Sequence, residues 1–87
     1  MMGAVAIRVR VLYFGQARDA AGTGEEEVSL PGSSSVGTLV GRSLEAHKPL
    51  RKMSAAMRVA VNEEIAPEGR RLADGDVVAF LPPVAGG

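Results

Sequence analysis

Near the start of the chain, odd and even positions separate by character. Val5, Ile7, Val9, Val11 and Tyr13 take the odd places and Arg8 and Arg10 fall between them, the period-two pattern of a strand with one buried face. A short alanine-rich piece, Gln16 to Ala21, is closed by Gly22-Thr23-Gly24, and alternation resumes from Glu25 to Leu30 with Val28 and Leu30 on one side. The two runs predict a hairpin with a helical turn in its connection. Pro31-Gly32-Ser33-Ser34 breaks the chain, Ser35 is placed to cap, and Val36, Leu39, Val40 and Leu44 recur at helical spacing until Pro49 forbids continuation. Gly37 and Gly41 either weaken this helix or let a neighbour approach it closely. Leu50 to Ala56 stays open between a short helix and a loop. Met57, Val59 and Val61 alternate with Arg58 and Ala60 as a third strand, up to a turn at Asn62-Glu63-Glu64. Asp74-Gly75-Asp76 marks another turn, and the apolar run Val77 to Leu81 behind it predicts a central strand buried on both faces. The order strand, strand, helix, strand, short strand, strand is that of an α+β fold, one main helix packed across a mixed sheet of four to five strands.

Length and composition narrow what such a fold does. With 87 residues, area scaling lets folding bury only about 60–65% of the unfolded chain's surface. The chain builds one thin two-layer core, with hardly any room for a buried active-site cavity. Aromatics are 3% of a chain that is 46% apolar, so the core is aliphatic. Ten basic and ten acidic residues cancel, with no run beyond Glu25-Glu26-Glu27, which argues against nucleic acid as a partner. With no cysteine, thiolate nucleophiles, zinc-thiolate sites and iron–sulfur ligation are excluded. Met1 to Ile7 is too short for a signal segment and runs into Arg8 and Arg10. No stretch approaches the ~18 apolar residues of a membrane span, so a cytoplasmic protein is expected.

The ending Leu81-Pro82-Pro83-Val84-Ala85-Gly86-Gly87 carries the most chemistry. Two prolines straight after the last strand offer no N–H donors and favour an extended course, so the ladder stops and a stiff stalk leaves the body. Gly86 and Gly87 have no Cβ, and a terminal carboxylate so placed enters a narrow slot unhindered. The expected organisation is a folded body over 1–81 and an extended tail over 82–87 that presents its own terminus to a second protein's active site. A frayed end or a tag remnant is the bland alternative. Pro-Pro directly after a core strand, joined to a final Gly-Gly, is more specific than either pair alone.

Three stretches together carry a family resemblance: Val9-Arg10-Val11-Leu12-Tyr13-Phe14-Gly15-Gln16-Ala17-Arg18, Ala60-Val61-Asn62, and Leu72-Ala73-Asp74-Gly75-Asp76-Val77-Val78-Ala79-Phe80 leading into Pro82-Pro83-Val84-Ala85-Gly86-Gly87. The chain resembles the MoaD family, the small sulfur-carrier subunits of molybdopterin synthase, which have the ubiquitin-like β-grasp fold. The resemblance implies a chain that is no enzyme by itself and binds no cofactor. Its Gly87 carboxylate would be adenylated with ATP by a ubiquitin-activating-type adenylyltransferase (MoeB-like) and converted to a thiocarboxylate. It would then give sulfur to cyclic pyranopterin monophosphate, a pterin held by the large (MoaE-like) subunit in a heterotetramer. Gly86, Ala85, Val84, Pro83 and Pro82 would provide the tail's access. The family's partner contacts fall by position on Phe14, Ile65, Leu81 and Arg18.

The residues themselves leave some of these roles open. Leu81 reads equally as core, Arg18 as a solvated or ion-paired arginine, and Phe14 shares the parity of Arg8 and Arg10, which favours an exposed face. His47 reads as a solvent-facing residue at a helix C-terminus rather than a metal ligand, Glu25-Glu26-Glu27 as a solvated edge strand, and Arg70-Arg71 as a charged loop. No paired carboxylates, Ser–His pair or phosphate-cradling loop supports catalysis on this chain alone. The alternative to molybdopterin synthesis is a sulfur carrier or ubiquitin-like modifier in another pathway: thiamine, tRNA thiolation, cysteine synthesis or protein conjugation.

Overall fold

The structure, a computed structural model, describes residues 5–83. Strands β1 (Ala6–Tyr13), β2 (Glu25–Pro31), β3 (Arg58–Val61), β4 (Glu64–Ile65) and β5 (Val77–Leu81) form one sheet in the order β2-β1-β5-β3-β4. β1 and β5 run parallel at its centre, and the other neighbours pair antiparallel. Helix α1 (Gly15–Ala21) joins β1 to β2, α2 (Val36–Ala46) crosses the sheet, and a 3₁₀ helix (Lys48–Ala56) follows it. This order, with one main helix across a mixed sheet, is the ubiquitin-like β-grasp. The segment left open between helix and loop is thus helical, and Pro49 lies in its first turn, where a missing N–H costs nothing.

Period-two burial holds along β1: Ile7, Val9, Val11 and Tyr13 are inside, while Ala6, Arg8 and Arg10 are exposed. Their inner face meets Leu30, Val78 and Phe80 from the neighbouring strands and Val36 and Leu39 from α2 in one core. α2 starts at a reciprocal cap. Ser35 Oγ accepts from Thr38 N–H and Thr38 Oγ1 accepts from Ser35 N–H, each at 3.3 Å, which satisfies two donors that the helix cannot. Gly37 backs onto the Glu68 carbonyl oxygen, 3.4 Å from where a Cβ would stand, whereas Gly41 is exposed with nothing within 4 Å of that point. Gly41→Ala is therefore expected to raise unfolding free energy by about 0.5–1 kcal/mol, read from urea denaturation.

The Asp74-Gly75-Asp76 turn fastens three segments. Asp74 Oδ1 accepts from Arg8 N–H at 2.8 Å, and the buried Asp76 accepts from Asn62 Nδ2 at 2.9 Å and from Ala73 N–H at 2.8 Å. Asn62 Oδ1 in turn accepts from Val77 N–H at 3.0 Å. A pair of turns distant in sequence thereby sets where β5 enters the sheet.

One expectation about β5 needs correction. The strand is central but not buried on both faces: Val78 and Phe80 are buried, whereas Val77, Ala79 and Leu81 are only half-buried. Helices cover one side of this sheet, and the other is open.

Candidate functional site

β5 ends at Leu81, and the chain leaves the sheet through the half-buried Pro82 and the exposed Pro83. The root is seated on Gly15. Pro82 Cγ stands 3.2 Å from where a Gly15 Cβ would be, and Gly15 has φ +53°, so both the close approach and the left-handed backbone favour glycine. Phe14 N–H donates to the Phe80 carbonyl at 3.3 Å, which ties the end of β1 to the last buried residue before the tail.

Register places the partner residues expected from the sequence. Leu12 stands beside Ala79, Ala79 beside Ala60, and Ala60 beside Ile65; one step on, Leu81 stands opposite Arg58. Since side chains alternate along strands, Leu12, Ala60, Ile65, Ala79 and Leu81 share the uncovered face, and Phe14 continues the parity of Leu12 beside Leu81. Phe14 and Ile65 are 47% and 58% exposed, far more than core side chains are. Phe14, Ile65 and Leu81 therefore lie on one side of the sheet, Phe14 and Leu81 at the tail's root and Ile65 on the edge strand two strands from β5, and Leu81 belongs to that face rather than to the core. Leu12, Ala60 and Ala79 also belong to it. Of these only Leu12, on β1, shares a parity with Phe14 just beyond the strand's end; Ala60 and Ala79 join the face through the pairing of β3 and β5.

The other half of the same face is polar. Arg10 pairs with Glu25 at 3.2 Å and Arg8 with Glu27 at 3.8 Å, exposed pairs that add little stability but gather charge at the β1–β2 end of the face, while the exposed Arg58, opposite Leu81, is a further cation within its mainly apolar half. Arg18 is exposed on α1 and turned towards the turn before β2, its Nε 3.2 Å from where a Gly24 Cβ would stand. Val84, Ala85, Gly86 and Gly87 lie outside the described residues.

Two sequence expectations about the polar residues are overturned. Glu26 is not simply solvated: opposite Val11 in the ladder, it faces inwards and accepts from Tyr13 Oη at 2.6 Å. His47 is not solvent-facing either. Its side chain is 18% exposed, Nε2 lies 2.9 Å from Glu26 Oε2, and its ring meets Tyr13 edge-on at 5.6 Å. Burial first, and then the hydrogen bond to Glu26, push the Tyr13 phenol well above the usual tyrosine range, so it remains a neutral donor. The cluster, with Ser43 Oγ 3.3 Å from Tyr13 Oη, joins β1, β2 and α2. No group of three or more His, Asp or Glu side chains able to hold an ion occurs among the described residues.

No helix among the described residues is long and apolar enough to cross a membrane. The chain matches the ThiS family over residues 11–87. It is 45% identical over 82 residues to the molybdopterin synthase sulfur carrier subunit of Mycobacterium tuberculosis, covering 93% of this chain and 99% of that one. Among solved structures, a putative molybdopterin converting factor subunit 1 from Pyrococcus furiosus superposes with TM-score 0.82 at 32% identity, covering 90% of this chain and 99% of the other. Small archaeal modifier protein 1 of Haloferax volcanii superposes with TM-score 0.79 at 26% identity, with the same coverage of each chain. The match extends over nearly the full length of both chains, and the chain belongs to the ThiS family, among the molybdopterin synthase sulfur carrier subunits.

Proposed function

We propose that this chain carries sulfur on the C-terminal carboxylate of Gly87 for the assembly of molybdopterin. The 45% identity to a molybdopterin synthase sulfur carrier subunit along 99% of that protein's length is the observation that carries the reading. A carboxylate is a poor electrophile, so activation precedes sulfur. The Gly87 oxygen attacks the α-phosphorus of ATP and releases pyrophosphate. Hydrosulfide released by a sulfur donor then attacks the acyl carbon, forming a C–S bond as the C–O bond to AMP breaks, and leaves a thiocarboxylate, AMP and a proton. The large subunit takes the tail and passes the sulfur to cyclic pyranopterin monophosphate, with water restoring the carboxylate. The body over 1–81 serves to hold and dock the tail over 82–87, in a cytoplasmic heterotetramer of two small and two large subunits.

The apolar half of the open face supports docking both to the activating enzyme and to the large subunit, since it sits at the root of the tail each must receive. Phe14→Asp is expected to weaken binding to each partner by roughly tenfold or more, the scale of an interface anchor, measured by calorimetry. Thermal unfolding should hardly change, because Phe14 is half exposed. Unaltered affinity for both partners would remove Phe14 from the interface. Intact mass after incubation with the activating enzyme, ATP and a sulfur source tests the chemistry itself: oxygen-to-sulfur exchange at Gly87 is the expected product. The likeness to a small archaeal modifier favours a second reading, in which the activated terminus acylates a lysine of another protein. An amide-linked product in place of a thiocarboxylate would select that reading.

A further inference from the structure

Beside Val59 the helix layer and the sheet part company. β4 is two residues long and Pro67 follows Ala66, so this edge strand stops before it closes the space between α2 and β3. A hollow of about 260 Å³ remains, lined by Val36, Val40, Val59 and Ala66, with the exposed Arg58 and Glu68 among its walls. Val40, Val59 and Ala66 pack on the core yet stay only partly buried. Small-molecule sites run to ~300–1,000 Å³, so the hollow suits one or two side chains rather than a cofactor.

A free backbone edge adjoins it. Val61 and Glu64 flank the two-residue turn at Asn62 and Glu63, both with positive φ, and Ala66 N–H donates to the Val59 carbonyl at 2.9 Å. In an antiparallel ladder the residue between these bonded positions points its own N–H and C=O the other way. Ile65 therefore offers both groups outwards, with its side chain on the apolar open face. Charge marks the same place: Arg8 and Arg10 have carboxylate partners, but Arg58 has none among the described residues.

We propose that the β4 edge accepts an extended segment of a protein partner as a sixth strand, placing an aliphatic side chain in the hollow and an acidic side chain on Arg58. Such a strand gains main-chain bonds from Ile65 and specificity from alternate side chains. One side of it meets the hollow while the other continues the apolar face, so a single segment joins the two surfaces. The inference rests on the reading that this chain docks to protein partners, and the tests separate the two.

The probe is a short blocked peptide of β-branched residues with a central leucine and a neighbouring aspartate, titrated into the isotope-labelled full chain and followed by amide shifts. Shifts at Val40, Val59, Ile65 and Ala66 are expected at millimolar peptide. Arg58→Glu, an exposed change that leaves the core untouched, should weaken the aspartate peptide by about threefold and favour its lysine counterpart. Val40→Phe, which fills the hollow, should remove binding. Unmoved amides, or equal affinity of the two peptides for the unaltered chain, would overturn the proposal. Shifts confined to Phe14 and Leu81 would overturn it too while sparing the docking reading, which the Phe14→Asp affinities test independently.

Discussion

A chain shortened by Gly87 should fold as the full-length protein does and take up no sulfur. Every core residue among those described lies between Ile7 and Phe80, and the last strand ends at Leu81. Removing the final residue therefore takes away none of the described core residues and none of the strand positions. The chemistry fares otherwise. Without Gly87 the terminal carboxylate is drawn back by one residue, about 3.5 Å along an extended chain, and misplacement of a reacting group by only ~1 Å can cost a factor of about 100. Loss of sulfur loading by several orders of magnitude is expected, read by intact mass, with circular dichroism and the urea midpoint unchanged. Adding one alanine after Gly87 should fail equally, because a methyl group then stands where only hydrogen stood. Ordinary loading in either variant would sink the carrier reading. Failure of the shortened chain to fold would instead assign the tail a structural part that nothing between residues 5 and 83 suggests.

The parts of this molecule that the sequence makes legible are those decided locally. Alternation in β1, the Ser35 cap and the spacing of Val36, Leu39 and Val40 each follow from side chains a few residues apart, and the structure keeps all of them. The misreadings arise where a distant segment decides. Val77, Ala79 and Leu81 are as apolar as Val78 and Phe80, so an uninterrupted run looks the same whether helices cover both faces or only one. Glu26 resembles its neighbours Glu25 and Glu27 until register sets it opposite Val11, where Tyr13 and His47 reach it from other elements. The 3₁₀ helix has no 3.6-residue period to betray it, and Pro49 reads as a stop because a proline that ends one helix looks like a proline that begins the next. At the candidate face, parity alone marks Phe14 as exposed, but only the sheet order brings Ile65 and Leu81 to its side.

Phe80→Ala should remove a large share of the stability of the domain. The ring is fully buried in the central strand and meets Tyr13 edge-on with centroids 5.3 Å apart. With aromatics making up 3% of the chain, few other side chains are large enough to collapse into the space left behind. Truncation of a buried phenylalanine costs about 3–5 kcal/mol, against a total on the order of 5–10 kcal/mol for a domain of this size. At a urea dependence of ~1 kcal/mol per molar, the midpoint should fall by roughly 3 M or more. Phe80→Leu, which keeps most of the volume, should lose only about 1 kcal/mol. The comparison bears on function because Phe80 is the last buried residue before Leu81 and Pro82, and its carbonyl accepts from Phe14 N–H; it fixes where the tail departs and where the apolar face begins. Sulfur loading of the alanine variant should therefore follow its folded fraction across a urea series. Loading that persists after the body has unfolded would mean that the activating enzyme reads the tail alone, and the docking face would then have no part in activation.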